Sequence, residues 1–288
     1  MNILITGSAG QLGNEMQLLE PLHQQHSFIN TDIGELDITD EQAVKTFVDD
    51  NDIDCIVNCA AYTAVDKAES NAETAHRLNA LAPEYLAKAV GARDGKMIQI
   101  STDYVFDGTA HTPYTEDCTP CPCSVYGTTK LEGEQRVMAA CRQTVVIRTA
   151  WLYSTFGNNF VKTMLRLGRE RDTLGVVFDQ IGTPTYAADL AAAIMSIINR
   201  GTVTGLYNFS NEGVCSWYDF TKAIHRIAGI TTCNVSPLHT ADYPTPARRP
   251  AYSVLDKTKI KQTYGITIPH WEESLRRCMQ SLTLPNHA

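Results

Sequence analysis

Three glycines at intervals of three, Gly7, Gly10 and Gly13, follow the apolar run Asn2-Ile3-Leu4-Ile5-Thr6 directly and lead into an amphipathic stretch. A glycine-rich turn between a buried strand and a helix lets a ligand's phosphates reach the backbone at the helix N-terminus, which confines the chain to a few architectures. Four further short apolar runs read as buried strands: Phe28-Ile29-Asn30-Thr31, Ile53 to Val57, Met97 to Ile100 and Val145 to Ile147. Helical spacing of apolar residues fills the gaps at Gln11 to Leu22, Glu41 to Asp50, Ala72 to Val90 and Tyr126 to Cys141. Strict alternation of strand and helix predicts an α/β protein with a doubly wound parallel sheet covered on both faces. Its ligand belongs at the carboxyl ends of the strands.

After about residue 150 the alternation loosens. Helices are expected at Phe160 to Glu170, Asp189 to Asn199 and Trp217 to Ala228, with strands at Gly175 to Phe178 and Leu206 to Phe209. We expect a dinucleotide-binding domain over residues 1–152, with a returning segment near 180–207, and a smaller substrate lobe from 153–179 and 208–288. The segment Asp242 to Pro250 holds three prolines and reads as a fixed loop.

Composition excludes several functions. With 24 basic and 32 acidic residues, net −8, the chain has no electrostatic footprint for nucleic acid or an anionic membrane. Ile3-Leu4-Ile5 is too short for a signal-peptide core and no run approaches a membrane span, so a cytoplasmic protein is expected. Nine cysteines in a chain of this length fit reduced thiols better than a disulfide framework. Cys118, Cys121 and Cys123 cluster, but only His111 is nearby as a fourth ligand, and a proline-rich loop is the simpler reading; no metal is expected.

The chemistry is carried by Tyr126 and Lys130 in S-V-Y-G-T-T-K, one helical turn apart and downstream of the glycine turn. A phenol is a poor proton donor at neutral pH, so a neighbouring ammonium is expected to lower its pKa. Ser101 and Thr102 end the fourth strand, where Thr102 can donate to a carbonyl oxygen. Gly7, Gly10 and Gly13 would cradle the pyrophosphate of a nicotinamide dinucleotide. Asp32, nineteen residues beyond Gly13, can accept from the ribose 2′-OH and repel a 2′-phosphate, which favours NADH over NADPH. The set implies hydride transfer at a carbon bearing oxygen.

With these residues assembled, the chain resembles the dTDP-4-dehydrorhamnose reductases, a family of the extended short-chain dehydrogenase/reductases with a Rossmann-type sheet. The resemblance runs through N-I-L-I-T-G-S-A-G-Q-L-G, S-T-D-Y-V-F-D-G, V-Y-G-T-T-K-L-E-G-E, G-N-N-F-V-K-T-M-L-R-L and Y-P-T-P-A-R-R-P. It implies reduction of the C4 ketone of dTDP-4-dehydro-β-L-rhamnose by NADH or NADPH. It further implies Thr102, Tyr126 and Lys130 as the catalytic set, and Gly10, Gln11, Leu12, Asp32, Asp37, Ile38, Ala60, Ala61, Tyr62 and Thr63 along the cofactor. Thr102, Asp103 and Trp151 would meet the deoxysugar, and Asn159 and Arg249 the nucleotide side, where an arginine fork suits a diphosphate. Two departures stand out. Ser124 replaces the asparagine usual before V-Y-G, which affects the local loop. Some members join subunits through glutamates around magnesium; Glu15 matches one, but Ala188 fills the second place and Leu284 to Ala288 offers no acid. A monomer or a helix-packed homodimer without a metal bridge is therefore expected. The competing readings are an epimerase or dehydratase, which would regenerate its cofactor each turnover, and a non-catalytic subunit that keeps the fold for binding.

Overall fold

The computed structural model describes residues 1–283. Its elements, in chain order, are β1 (Asn2–Thr6), α1 (Gln11–Gln17), β2 (Ser27–Thr31), α2 (Glu41–Asp50), β3 (Cys55–Asn58), α3 (Ala82–Gly91), β4 (Lys96–Thr102), α4 (Val125–Ala140) and β5 (Gln143–Thr149). There follow α5 (Phe160–Glu170), β6 (Thr173–Val177), α6 (Ala187–Arg200), β7 (Gly205–Asn208), α7 (Trp217–Ala228), β8 (Asn234–Leu238) and α8 (Trp271–Thr283), with shorter pieces between them. Six strands form a wholly parallel sheet in the order β7-β5-β4-β3-β1-β2. Strand order reverses beside β1, so a crevice opens where Thr6, Thr31 and Asn58 end their strands.

Each face of the sheet carries its own core. Ile3, Ile5, Val57, Ile98 and Ile147 pack under α1 and α6, while Leu4, Ile56, Met97 and Val146 pack under α2 and α3. This is the period-two division of a strand buried on both sides. Ile260, Tyr264 and Ile268 join the first of these cores. A third core, built on Val161, Phe220, Ile224, Val235 and Leu275, belongs to α5, α7, β8 and α8. Among the described residues no helix is long and apolar enough to cross a membrane.

Several local expectations give way to tertiary chemistry. The helix expected to reach Leu22 stops at Gln17, and Pro21 sits in a separate 3₁₀ turn at Glu20–Leu22. Within 72–91 the helix widens into a π turn at Arg77–Leu81, just before Pro83. Pro83 has no N–H for the Asn79 carbonyl, and that carbonyl lies only 2.1 Å from where a Cβ on Gly133 would stand. The turn also points the Asn79 side chain inward, where it accepts from Tyr62 N at 2.8 Å and donates to Thr129 Oγ1 at 3.2 Å. The loop after β3 and helix α4 are thereby locked together.

Candidate active site

Gly7 takes φ +64° and lies against Ala60, whose backbone would be 2.7 Å from an added Cβ. A Cβ on Gly13 would stand 2.4 Å from the Gly7 carbonyl, so the turn and α1 close only on glycine. Gly10 leads the helix with no side-chain cap, leaving its first N–H groups facing the crevice. Asp32 follows β2 directly and buttresses this loop: its Oδ2 accepts from Ala9 N at 3.2 Å and its Oδ1 from Ile33 N at 2.8 Å.

A cavity of about 810 Å³ runs along the carboxyl ends of the strands. Gly7, Gly10, Gln11, Leu12, Asp32 and Ile38 line the side near β1 and β2. Ala60, Ala61 and Thr63 also line it, as do Thr102, Asp103, Tyr126, Lys130 and Trp151, and Asn159 lines it beside Gln11. Gly13, Asp37, Tyr62 and Arg249 do not line it. Asp37 holds the Thr39 amide and hydroxyl, which, with Arg77 nearby, keep its carboxylate below the usual range. Arg249 is closed in a two-pronged pair with Asp66, at 3.0 and 2.7 Å, which binds the proline-pinned loop to the segment after β3. Arg248 is exposed.

Ser124 caps α4, its hydroxyl accepting from Gly127 N at 3.1 Å, so the departure at this position still starts the helix correctly. Tyr126 and Lys130 follow on one face. The expected lowering of the phenol's pKa is absent here. Burial pushes Tyr126 up to about 12, with the Thr102 hydroxyl pulling the other way. Lys130 donates to the Ile100 carbonyl at 2.6 Å, and burial brings its ammonium down to about 8. A charge in a low-dielectric wall is disfavoured whichever its sign, which raises the phenol and lowers the ammonium.

Asp103 is fully buried directly after Thr102. Thr102 Oγ1 donates to its Oδ1 at 3.0 Å, whereas its Oδ2 has no hydrogen-bond partner, and burial raises the carboxyl to about 6 against the pull of the Ser253 and Thr102 hydroxyls. Trp151, at φ +48°, stacks on Trp217 with ring centroids 3.5 Å apart. Asn159 caps α5 and donates to Gln11 Oε1 at 3.0 Å, tying that helix to the glycine turn.

The sequence reading missed Ile33, Leu36, Cys59, Val65, Leu78 and Trp217, which also line the cavity. Trp217, the large aromatic opening the capped helix S-W-Y-D, offered a signal; the others are apolar residues indistinguishable from core. Among the described residues no group of three or more His, Cys, Asp or Glu side chains is placed to hold a metal. All nine cysteines are free thiols. Glu15 is buried and raised by that burial, and accepts from the Ser154 hydroxyl at 2.6 Å; the expectation for Leu284 to Ala288 lies outside the described residues.

Residues 1–284 match the model of the RmlD substrate binding domain. The chain belongs to the dTDP-4-dehydrorhamnose reductase family. It is 41% identical to the dTDP-4-dehydrorhamnose reductase of Aggregatibacter actinomycetemcomitans, over 95% of this chain and 97% of the relative. It is also 41% identical to that of Escherichia coli, over 98% of each. The crystal structure of a Clostridium acetobutylicum dTDP-4-dehydrorhamnose reductase superposes with a TM-score of 0.96 at 44% identity, covering 99% of this chain and all of that one. A Bacillus anthracis dTDP-4-dehydrorhamnose reductase in complex with NADP gives 0.93 at 40% identity, over 97% and 99%. In the present chain the glycine turn, with uncapped helix N–H groups and a cavity reaching to Tyr126 and Lys130, fits the nicotinamide dinucleotide such enzymes bind.

Proposed function

We propose that this chain reduces the C4 ketone of dTDP-4-dehydro-β-L-rhamnose to dTDP-β-L-rhamnose, the last step in making that sugar donor for cell-surface polysaccharide. The observation that carries the reading is the convergence of Thr102, Tyr126 and Lys130 at one end of a cavity whose other end is the glycine turn. Gly7, Gly10, Gln11 and Leu12 would hold the pyrophosphate, Asp32 the adenosine ribose, Ala60, Ala61 and Thr63 the middle of the cofactor and Lys130 the nicotinamide ribose. Bound reduced nicotinamide supplies the hydride. Thr102 donates to the ketone oxygen, and Tyr126 gives its proton to that oxygen as negative charge develops there. Neutrality suits a proton donor, because a phenol raised to about 12 is fully protonated before reduction. Lys130, held by the Ile100 carbonyl, keeps the wall beside Tyr126 positive.

Trp151 offers its face to the deoxysugar, Asn159 faces the nucleotide, and Arg249 meets the diphosphate by exchanging the Asp66 carboxylate for another anion of the same bidentate geometry. NADH is the favoured cofactor, because the Asp32 carboxylate faces where a 2′-phosphate would lie and no Arg or Lys stands between Phe28 and Leu36. The ratio of kcat/KM for NADH and NADPH tests this, and an NADPH advantage sinks the assignment of Asp32. We further infer a monomer or a helix-packed homodimer without bridging metal, whose sedimentation EDTA leaves unchanged, and a cytoplasmic site consistent with nine free thiols. The deciding experiment follows NADH absorbance with dTDP-4-dehydrorhamnose. One NADH consumed per sugar reduced supports a reductase; turnover of a nucleotide sugar without net NADH loss would instead mark an epimerase or dehydratase.

A further inference from the structure

Thr102 has one hydroxyl proton, and besides a substrate carbonyl two neighbours claim it, Asp103 and the Tyr126 phenol. Its oxygen already accepts from Tyr104 N at 3.2 Å, and its proton goes to Asp103 Oδ1 at 3.0 Å. While that bond stands, Thr102 cannot also donate to a substrate carbonyl. The other oxygen of Asp103 is buried and unpartnered, close to Ser253, and a proton placed there turns Oδ1 from an anionic acceptor into the weaker carbonyl of a neutral acid. We propose that Asp103 is a positioning residue that decides where Thr102 sends its proton: ionised, it captures the hydroxyl; protonated, it releases the hydroxyl to the ketone oxygen. This inference rests on the reading that Thr102 donates to the ketone.

The surroundings of Asp103 leave it the freedom to switch. The titratable groups that face it are the Tyr104 and Tyr126 phenols, from the turn after β4 and from α4, both raised by burial and so neutral throughout the working range. Arg249 and Asp66 lie beyond Tyr104 and are paired with each other. Ser253, fully buried, is the hydroxyl besides Thr102 that favours the ionised form.

The test is the pH profile of kcat/KM for the 4-keto nucleotide sugar at saturating NADH. The wild-type profile should bend near pH 6, where burial sets this carboxyl, and fall by roughly ten-fold per unit above the bend, since one proton is lost. Asp103→Asn should remove the bend. Ser253→Ala should move it upward, since a hydroxyl that favours the ionised form is gone, and leave the low-pH plateau in place. If Asp103→Asn does not fold, the direction of the Ser253→Ala shift decides. A bend that survives in Asp103→Asn, or that Ser253→Ala leaves still or moves down, overturns the proposal. Thr102→Val separates the donor from the residue that steers it. Near-native kcat/KM in that variant removes Thr102 as donor and the inference with it. A low, pH-independent rate to which Asp103→Asn adds nothing further supports both.

Discussion

Burial moves Tyr126 and Lys130 away from the charged states that their sequence spacing suggested. The tyrosine sits near 12 and the lysine near 8, so in the free protein the phenol is a stored proton rather than an activated base. Tyr126→Phe should keep its fold and NADH affinity while kcat drops by roughly 10²-fold or more, because only the donated proton is gone. Fluorescence titration with NADH and steady-state kinetics separate the two effects, and a near-native kcat would remove Tyr126 from the mechanism. Lys130 makes a pH prediction of definite sign. Its folded pKa lies below the ordinary 10.5, so between about pH 8 and 10.5 the unfolded chain binds the extra proton and folding gains from rising pH. Below pH 8 the buried ammonium costs its full difference, on the order of 3 kcal/mol. Lys130→Met should therefore gain stability relative to wild type at pH 7, and lose that advantage by pH 10.5. Urea unfolding of both free proteins at the two pH values checks this; a pH-independent difference contradicts the buried, cofactor-free state of the lysine.

Helix α4 shows how much of an element its sequence can disclose. The Y-x-x-x-K spacing names two residues of its inner face, but the third, Glu134, gains its meaning only from other strands. Its carboxylate takes both prongs of Arg148, at 2.9 and 2.7 Å, and the Ser101 hydroxyl, all of them buried. Arg148 lies on β5 and Ser101 on β4, and no periodicity links them to α4. The π turn at Arg77–Leu81 was hidden for the same reason, since the carbonyl it frees packs against Gly133 of α4. By contrast the turn at Gly7, Gly10 and Gly13 and the strand end before Asp32 were readable, because backbone conformation and strand ends are written locally. Removing one partner of a buried ion pair strands the other, so Glu134→Ala should destabilise by about 3–5 kcal/mol. Glu134→Leu combined with Arg148→Met should cost clearly less than the two single changes together, since no charge is left stranded. Additive losses in urea unfolding would mean that the pair is not coupled.

At the scale of the molecule, the strand ends of the sheet and the loops after them wall the cavity, and Asn159 and Trp217, at the starts of α5 and α7, close it from the side of the third core. The parallel, doubly wound sheet followed from the alternation of strand and helix. Where the chain past residue 150 would lay its aromatic residues did not, because those contacts join elements far apart in sequence. Trp151 leaves the end of β5 in a left-handed conformation and stacks on Trp217 at the start of α7, with Phe160 of α5 4.5 Å away. Both tryptophans line the cavity, so one stack in its wall joins the segment after β5 to the start of α7. Glycine at 182 is required beneath it, since a Cβ there would come within 2.7 Å of the Trp151 ring. In the proposed binding mode the dinucleotide lies along the residues from Gly7 to Thr63 and the sugar beside Trp151. An aromatic pair contributes about 0.5–1.5 kcal/mol beyond its buried area, so Trp217→Leu, which keeps an apolar side chain, should raise KM for the nucleotide sugar by roughly 2- to 12-fold. KM for NADH should stay within about two-fold, a change of less than half a kcal/mol. The split is the measurement that matters: equal rises in both constants would show that the stack holds the two halves of the molecule together rather than shaping the sugar's end of the cavity.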